Sequence, residues 1–222
     1  IVETVELAGA TVRQATLNNY GDIQKKRVKI GGRVLIRRSN EVIPEILGAL
    51  GDEGKEVEKI TVCPYCKTPV VEVGANLFCP NEDCRPRVLA KLANFACKDG
   101  MNIDGFSEKT AGVLYDEIGV ENFSELYTLD REKLVALDGF QDKKADNLLS
   151  AIEKSKNVAL PNFIFALGID GVGKKTAKDL AKKLKTLGGI ANASVEELSA
   201  LDDVGEVMSK SIFDYFRSEK NK

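Results

Sequence analysis

Histidine and tryptophan are both absent from the 222 residues, methionine occurs twice and proline six times. Without histidine there is no Ser-His-Asp or Cys-His catalytic constellation and no imidazole metal ligand. Nor is there a side chain that ordinarily titrates near neutrality. Long apolar runs are missing too: none approaches the ~20 residues a membrane-spanning helix needs. Positive charge is not in excess, since 32 Lys+Arg stand against 34 Asp+Glu for a net −2. Taken as an average, that argues against a nucleic-acid partner. The first residues, Ile1-Val2-Glu3-Thr4, have neither Met nor a basic-then-apolar leader pattern. The chain reads as a segment of a longer protein, with length for one large domain or two to three small ones.

The average charge conceals structure. Residues 1–58 are neutral, 59–100 carry +2 and 101–222 carry −4. Within the first segment, residues 25–38 hold seven basic side chains and no acid, among them Arg27, Lys29, Arg37 and Arg38. Residues 171–185 hold six Lys against one Asp. A lone charge run is most often a solvated face, so context must decide. Residues 1–50 carry β signals: Val2, Val5 and Leu7 before Gly9, a Gly31-Gly32 turn inside Val28 to Ile36, and a strand over 42–47. In that last strand Pro44 is confined to an edge or a bulge. Short strands with frequent turns predict a small barrel or sandwich. From about Pro86 onward the apolar spacing becomes helical, so the fold class is multidomain α+β.

Between these halves stand Cys63-Pro-Tyr-Cys66 and Cys79-Pro-Asn-Glu-Asp-Cys84. Two tight thiolate pairs with an intervening loop can close a tetrahedron around one ion, and four thiolates without histidine suit Zn²⁺. Two disulfides or buried apolar thiols are the competing readings, but no export signal is visible and a cytosolic protein keeps its thiols reduced. A redox role for the Cys63/Cys66 pair lacks the βαβ context it needs. With all four positions filled by protein, the site is structural and leaves no coordination open for chemistry. Cys97 falls at the helical register of Leu92, Ala93, Phe95 and Ala96, which makes it a core residue rather than a fifth ligand.

The helical half repeats a phrase: Ile103-Asp104-Gly105-Phe106-Ser107, Leu137-Asp138-Gly139-Phe140-Gln141, Ile169-Asp170-Gly171-Val172-Gly173 and Leu201-Asp202-Asp203-Val204-Gly205. The third positions are spaced by 34, 32 and 32 residues. Six residues past each stands Ala111, Ala145, Ala177 or Ser209, and nine past stands Leu114, Leu148, Leu180 or Ile212. Period and content predict four repeated helical units. In each, an apolar residue ends a first helix and a glycine hairpin reverses the chain with positive φ. The next apolar residue plugs the core, and a second helix starts at once. Its N-terminal N–H groups point outward, an arrangement that suits an anion such as phosphate.

These four phrases resemble helix-hairpin-helix DNA-binding motifs. Such units hold the sugar-phosphate backbone through main-chain N–H groups as well as Lys or Arg, without reading bases, so they need little net charge. The candidate contacts are Gly105 and Lys109; Gly139, Lys143 and Lys144; Gly171, Val172, Gly173, Lys174, Lys175 and Thr176; and Gly205. The third copy is the strongest. The fourth, with Asp203 and its neighbours Glu196, Glu197, Asp202 and Glu206, should repel phosphate and be mainly structural.

The order of modules resembles the C-terminal half of bacterial NAD-dependent DNA ligases. Val5-Glu6-Leu7-Ala8-Gly9-Ala10-Thr11-Val12 with Ala15-Thr16-Leu17-Asn18-Asn19 is similar to the opening of that family's OB domain. Ile30-Gly31-Gly32-Arg33-Val34 and Glu41-Val42-Ile43-Pro44-Glu45-Ile46 resemble its later strands. Phe165-Ala166-Leu167-Gly168-Ile169 resembles the start of its third hairpin. Asn18 stands where the family usually has His, and Arg38-Ser39-Asn40 replaces a Lys-Ala-Gly-like turn. The barrel begins inside its first strand. The resemblance implies an OB-fold over 1–58, a zinc finger over 59–86 and a helix-hairpin-helix domain over 87–222, with hairpins near 103–110, 137–144, 169–176 and 201–208. It implies a chain that clamps nicked duplex DNA, probing no sequence, as a monomer in the bacterial cytoplasm in association with the nucleoid and with no membrane.

The family's nucleophile is the lysine of a Lys-x-Asp-Gly motif. Cys97-Lys98-Asp99-Gly100 misplaces that lysine, so no match exists here. The catalytic residues, together with the NAD and Mg²⁺ the parent enzyme uses, therefore belong outside this chain, and so does the BRCT domain. The alternative is a non-enzymatic DNA-structure-binding protein of the junction or repair type. Those proteins also join OB and helix-hairpin-helix modules, but without the four-cysteine segment. A zinc-stabilised scaffold for a protein partner is the third reading.

Overall fold

The computed structural model describes residues 1–7, 9–39 and 43–221, with Ser39 described by its backbone alone. Ala8, Asn40, Glu41 and Val42, part of the expected β segments, lie outside the described residues. The chain divides into two compact units, Ile1–Cys84 and Arg85–Lys222.

In the first unit, β1 (Val5–Leu7) pairs antiparallel with β2 (Ala10–Val12) around Gly9, whose φ is +75°. A short helix α1 (Tyr20–Lys25) follows, an element the β reading of residues 1–50 did not contain. Its cause is local: the Asn19 side chain accepts the Asp22 N–H at 2.9 Å and supplies the N-cap. The long ladder joins β4 (Arg33–Ser39) to β5 (Ile43–Leu50), with a bulge between Leu35 and Ile36. β3 (Lys29–Ile30) pairs with β6 (Lys55–Glu56). The bend between β3 and β4 requires glycine, because a Cβ on Gly32 would lie 2.6 Å from the Glu53 carbonyl. Thr16 bridges to the far side of β5, its N–H donating to the Pro44 carbonyl at 3.1 Å. Pro44 therefore sits within a paired strand and away from the bulge, serving there as an acceptor. Among the described residues of 1–58 the apolar core is small, with Val12, Val28 and Ile46 its buried hydrophobic members. A hairpin of β7 (Val71–Val73) and β8 (Asn76–Phe78) then turns at Gly74, with φ +60°.

The second unit is helical. α2 (Arg85–Ala96), α3 (Glu108–Ile118), α4 (Arg131–Val135) and α5 (Asp142–Ser155) surround one core, with a 3-10 turn at Ser124–Thr128. α6 (Leu160–Ala166), α7 (Lys174–Leu184), α8 (Leu187–Asn192), α9 (Val195–Ser199) and α10 (Glu206–Arg217) surround a second. The first core stacks Phe95 on Phe123, ring centroids 4.3 Å apart, and is centred on Leu92, Leu114, Leu126 and Leu134. The second is centred on Ile164, Leu180, Ile190, Leu198 and Ile212. The two cores are stitched by polar contacts: Asn162 Nδ2 donates to the Asp99 carbonyl at 2.9 Å and Asn94 Nδ2 to that of Ala166 at 3.4 Å. Among the described residues no helix is long and apolar enough to cross a membrane.

Candidate metal centre and nucleic-acid interface

The Sγ atoms of Cys63, Cys66, Cys79 and Cys84 all lie within 4.8 Å of one another. Cys63 and Cys84 are 3.7 Å apart and Cys66 and Cys79 3.4 Å. Both separations far exceed an S–S bond of ~2.05 Å. They approach the ~3.8 Å edge of a tetrahedron drawn with Zn–S bonds of about 2.3 Å. The knuckle is built by backbone: Lys67 takes φ +61°, its N–H donates to the Cys63 carbonyl at 3.0 Å, and the Cys63 N–H returns to Thr68 at 2.8 Å. On the other side an Asx turn at Asn81 receives the Asp83 N–H at 3.0 Å and its carbonyl receives that of Cys84 at 3.2 Å. The thiols differ electrostatically. Hydrogen bonding to the Thr68 side chain, then to its backbone, draws Cys66 down to about 5. Burial, then the neighbouring thiols, pushes Cys84 up to about 12. The four-cysteine cluster can hold a metal ion, whose positive charge would keep all four sulfurs as thiolates. Cys97 is half-buried at the end of α2 and stands outside the cluster.

The four repeated phrases fold alike. Gly105, Gly139 and Gly171 take φ of +76°, +72° and +83°, and Asp203 takes +64° at the same place in the fourth copy. In every copy the next N–H closes the turn: Phe106 donates to Ile103, Phe140 to Leu137, Val172 to Ile169 and Val204 to Leu201, at 2.9 to 3.2 Å. The residue after it, Ser107, Gln141, Gly173 or Gly205, is an extended N-cap, and the second helix begins at the following position. Ala111, Ala145, Ala177 and Ser209 are all 0% exposed. Each packs where the second helix meets its partners, so nothing larger fits without repacking. One expectation is corrected. The apolar residue opening each phrase does not end the first helix; Ile103, Leu137, Ile169 and Leu201 lie beyond Ala96, Val135, Ala166 and Ser199, in the connection.

Val172 sits at the centre of the third hairpin. Its side chain is buried and its N–H is spent on Ile169 at 2.9 Å, so its side chain shapes the hairpin. The groups left outward are the first-turn N–H groups of α7 at Lys174, Lys175 and Thr176, which have no intrahelical acceptor. Gly173 supplies no side-chain cap for them. The second and fourth copies likewise lack a side-chain cap, whereas in the first Ser107 accepts the Thr110 N–H at 3.2 Å. Thr110 itself is buried beneath Gly105.

Hairpins one and two open on a common groove of about 810 Å³. Gly105 and Gly139 lie at its edge, and Lys143, Lys144, Asn147, Ser150 and Lys154 of α5 line it. Asn147, Ser150 and Lys154 were not among the sequence candidates. The signal was present in their spacing of four, three and four from Lys143, which puts them on one helix face. Lys144 is fixed, donating to the Gly139 carbonyl at 3.2 Å and lying 3.9 Å from the Phe140 ring centroid. Lys109 and Lys143 are exposed and have no ion pair among the described residues. In the third copy Lys174 pairs with Asp99 and Lys175 with Asp203. Asp203 accordingly titrates low and Lys175 high, each because of the other. In the basic stretch of the first unit, Lys29 pairs with Glu56 at 3.0 Å and Arg37 with Glu45 at 2.5 Å, while Arg38 reaches the Leu7 carbonyl at 3.5 Å. Arg27, exposed with φ +53°, has no ion pair among the described residues.

The fold and these sites define a protein with an OB-type β unit, a four-cysteine knuckle pair and tandem helix-hairpin-helix units. Residues 1–58 match the NAD-dependent DNA ligase OB-fold domain. Residues 98–154 match the SAM-like helix-hairpin-helix tandem, and 162–222 the helix-hairpin-helix motif. Over 99% of its length the chain is 48% identical to DNA ligase 2 and 49% identical to DNA ligase 1 of Clostridium acetobutylicum. It is 47% identical to the DNA ligase of Clostridium botulinum strain Hall. It spans about a third of these relatives, 34% of each. The chain is thus similar along nearly its whole length to one portion of these DNA ligases, and it carries an OB-fold domain of the NAD-dependent type followed by helix-hairpin-helix units.

Proposed function

We propose that this chain is the DNA-holding portion of an NAD-dependent DNA ligase, gripping nicked duplex by its phosphates while the strand is sealed. The observation that carries the reading is the fourfold hairpin geometry. A turn with positive φ, a buried plug and an immediately following helix present uncapped N–H groups outward in three copies. Helix N-termini of this kind attract phosphate. Lys109, Lys143, Lys144, Lys174 and Lys175, with Arg27, Lys29, Arg37 and Arg38 of the first unit, add charge without base readout. Gly105, Gly139, Gly171, Gly173 and Gly205 let backbone approach backbone. Val172 contributes through the hairpin's shape, and Thr176 through its N–H.

The four cysteines hold one structural Zn²⁺, and all coordination positions belong to protein. The residues here supply no Lys-x-Asp-Gly lysine. Adenylate transfer from NAD, and the Mg²⁺ that assists it, belong to the parent enzyme. This portion contributes positioning: it keeps the 5′-phosphate and 3′-hydroxyl of the nick in reacting geometry. The protein works as a monomer with the nucleoid in the bacterial cytoplasm. The four-cysteine centre disfavours the junction-binding alternative.

Titrating the zinc-loaded chain into labelled nicked and intact duplexes over a series of KCl concentrations tests the reading. Binding should be indifferent to sequence and should weaken with salt. Replacing Lys109 and Lys143 together by Ala should flatten the salt slope by roughly 2. Absence of salt-sensitive binding would overturn the reading. Incubation with NAD alone should leave no adenylate on the chain.

A further inference from the structure

The tip position of the hairpin is glycine in three copies and Asp203 in the fourth. All four adopt positive φ. That conformation is costly for most L-residues and is tolerated by Asp because its short polar side chain can bond locally. Here the carboxylate does not bond its own hairpin. It reaches across to the third hairpin and takes the Lys175 ammonium. Contact between these two hairpins is also apolar: a Cβ on Gly171 would lie 3.4 Å from Met208 Cγ. The arrangement sets an anionic oxygen beside the first turn of α7, the place where the third copy would receive a phosphate.

We propose that Asp203 is a built-in competitor for phosphate, which occupies Lys175 and lowers the affinity of the third hairpin for DNA. The inference rests on the DNA-holding function proposed above and deepens it. Both partners are largely exposed, with 79% and 61% of their side chains accessible, so the pair is exchangeable rather than locked. The fourth hairpin thus acts on DNA through the third. Lysines of the first two hairpins have no such competitor: Lys109 and Lys143 are without an ion pair among the described residues, and Lys144 rests on a carbonyl and a ring. The consequence is a graded grip, in which the lysines of hairpins one and two are freer to meet phosphate than Lys175 of hairpin three, which suits a protein that must release its product.

The test is a double-mutant cycle on the zinc-loaded chain with nicked duplex, read as Kd and as salt slope. Asp203→Asn removes the charge and keeps a residue suited to positive φ; Asp203→Gly restores the residue of the other copies. Each should tighten binding roughly two- to five-fold, the range of an exposed pair, and steepen the salt slope by about 0.9 as Lys175 gains a phosphate. In a Lys175→Ala background both effects should vanish. Equal tightening in both backgrounds would mean bare repulsion by Asp203 and would overturn the proposal. No tightening in either, with wild type still binding in a salt-sensitive way, would also overturn it while leaving the DNA-holding reading intact. Failure of the wild type to bind would remove that reading and the inference with it. Unchanged melting temperatures keep folding out of the comparison.

Discussion

Residues 1–84 and 85–222 reach a fixed structure by different means. The helical unit buries large side chains completely, with Leu92, Leu114, Leu126, Leu134, Ile164, Leu180, Ile190, Leu198 and Ile212 all below 2% exposure. The first unit leaves Ile30, Leu35, Ile43, Leu47 and Leu50 exposed, and its 59–84 segment buries Cys63 and Cys84 in place of aliphatic residues. A β hairpin of two three-residue strands is marginal in water. A metal ion held by the four cysteines would substitute for a core there, as small domains require. The difference teaches which perturbation each half should feel.

The largest effect is expected from metal removal. Structural zinc sites contribute on the order of 10–16 kcal/mol to folding. Chelation, or Cys79→Ser, should therefore erase the ordered amide signals of 59–84 while the helical circular dichroism of 85–222 survives. Loss of both together would break the comparison. Next comes Leu180→Ala, which should cost about 2–5 kcal/mol by opening a cavity in a well-packed core; urea unfolding should report it, with the metal content unchanged. Third is Ala177→Leu, expected to cost about 1–3 kcal/mol by overpacking and to loosen the hairpin it anchors. Smallest is Arg131→Ala. Arg131 clasps Asp142 at 2.8 Å and Asp146 at 2.6 Å, tying α4 to α5. These side chains are half to three-quarters exposed, so no more than ~1 kcal/mol should be lost. A larger loss in thermal melts would show that the helical unit depends on its surface as well as its core.

Much of this was legible in the residues because the signals were local and repeated. The cysteine spacing announces a cluster of four thiols, and the in-phase glycines, alanines and leucines announce four hairpins. What escaped was set by contacts across the chain. Helix α1 depends on one capping bond from Asn19. The neutralisation of Lys174 and Lys175 depends on carboxylates 75 and 28 residues away in sequence, at Asp99 and Asp203, which no local pattern could pair with them. Asn147, Ser150 and Lys154 look like an ordinary solvated face until the first hairpin is placed opposite them. The averaged net charge was the least informative quantity, since basic groups and their partners are distributed by the fold.

The constant offset of six residues between each hairpin tip and its buried small residue acts as a ruler. A helix turns about 100° per residue, so inserting one residue between Gly171 and Ala177 would swing Ala177 out of the packing and bring Thr176 into its place. The connections leading into the hairpins carry no such constraint, since they range from the long stretch between Ala96 and Ile103 to the short one between Val135 and Leu137. Length variation in this protein should therefore be tolerated before each hairpin and rejected after it.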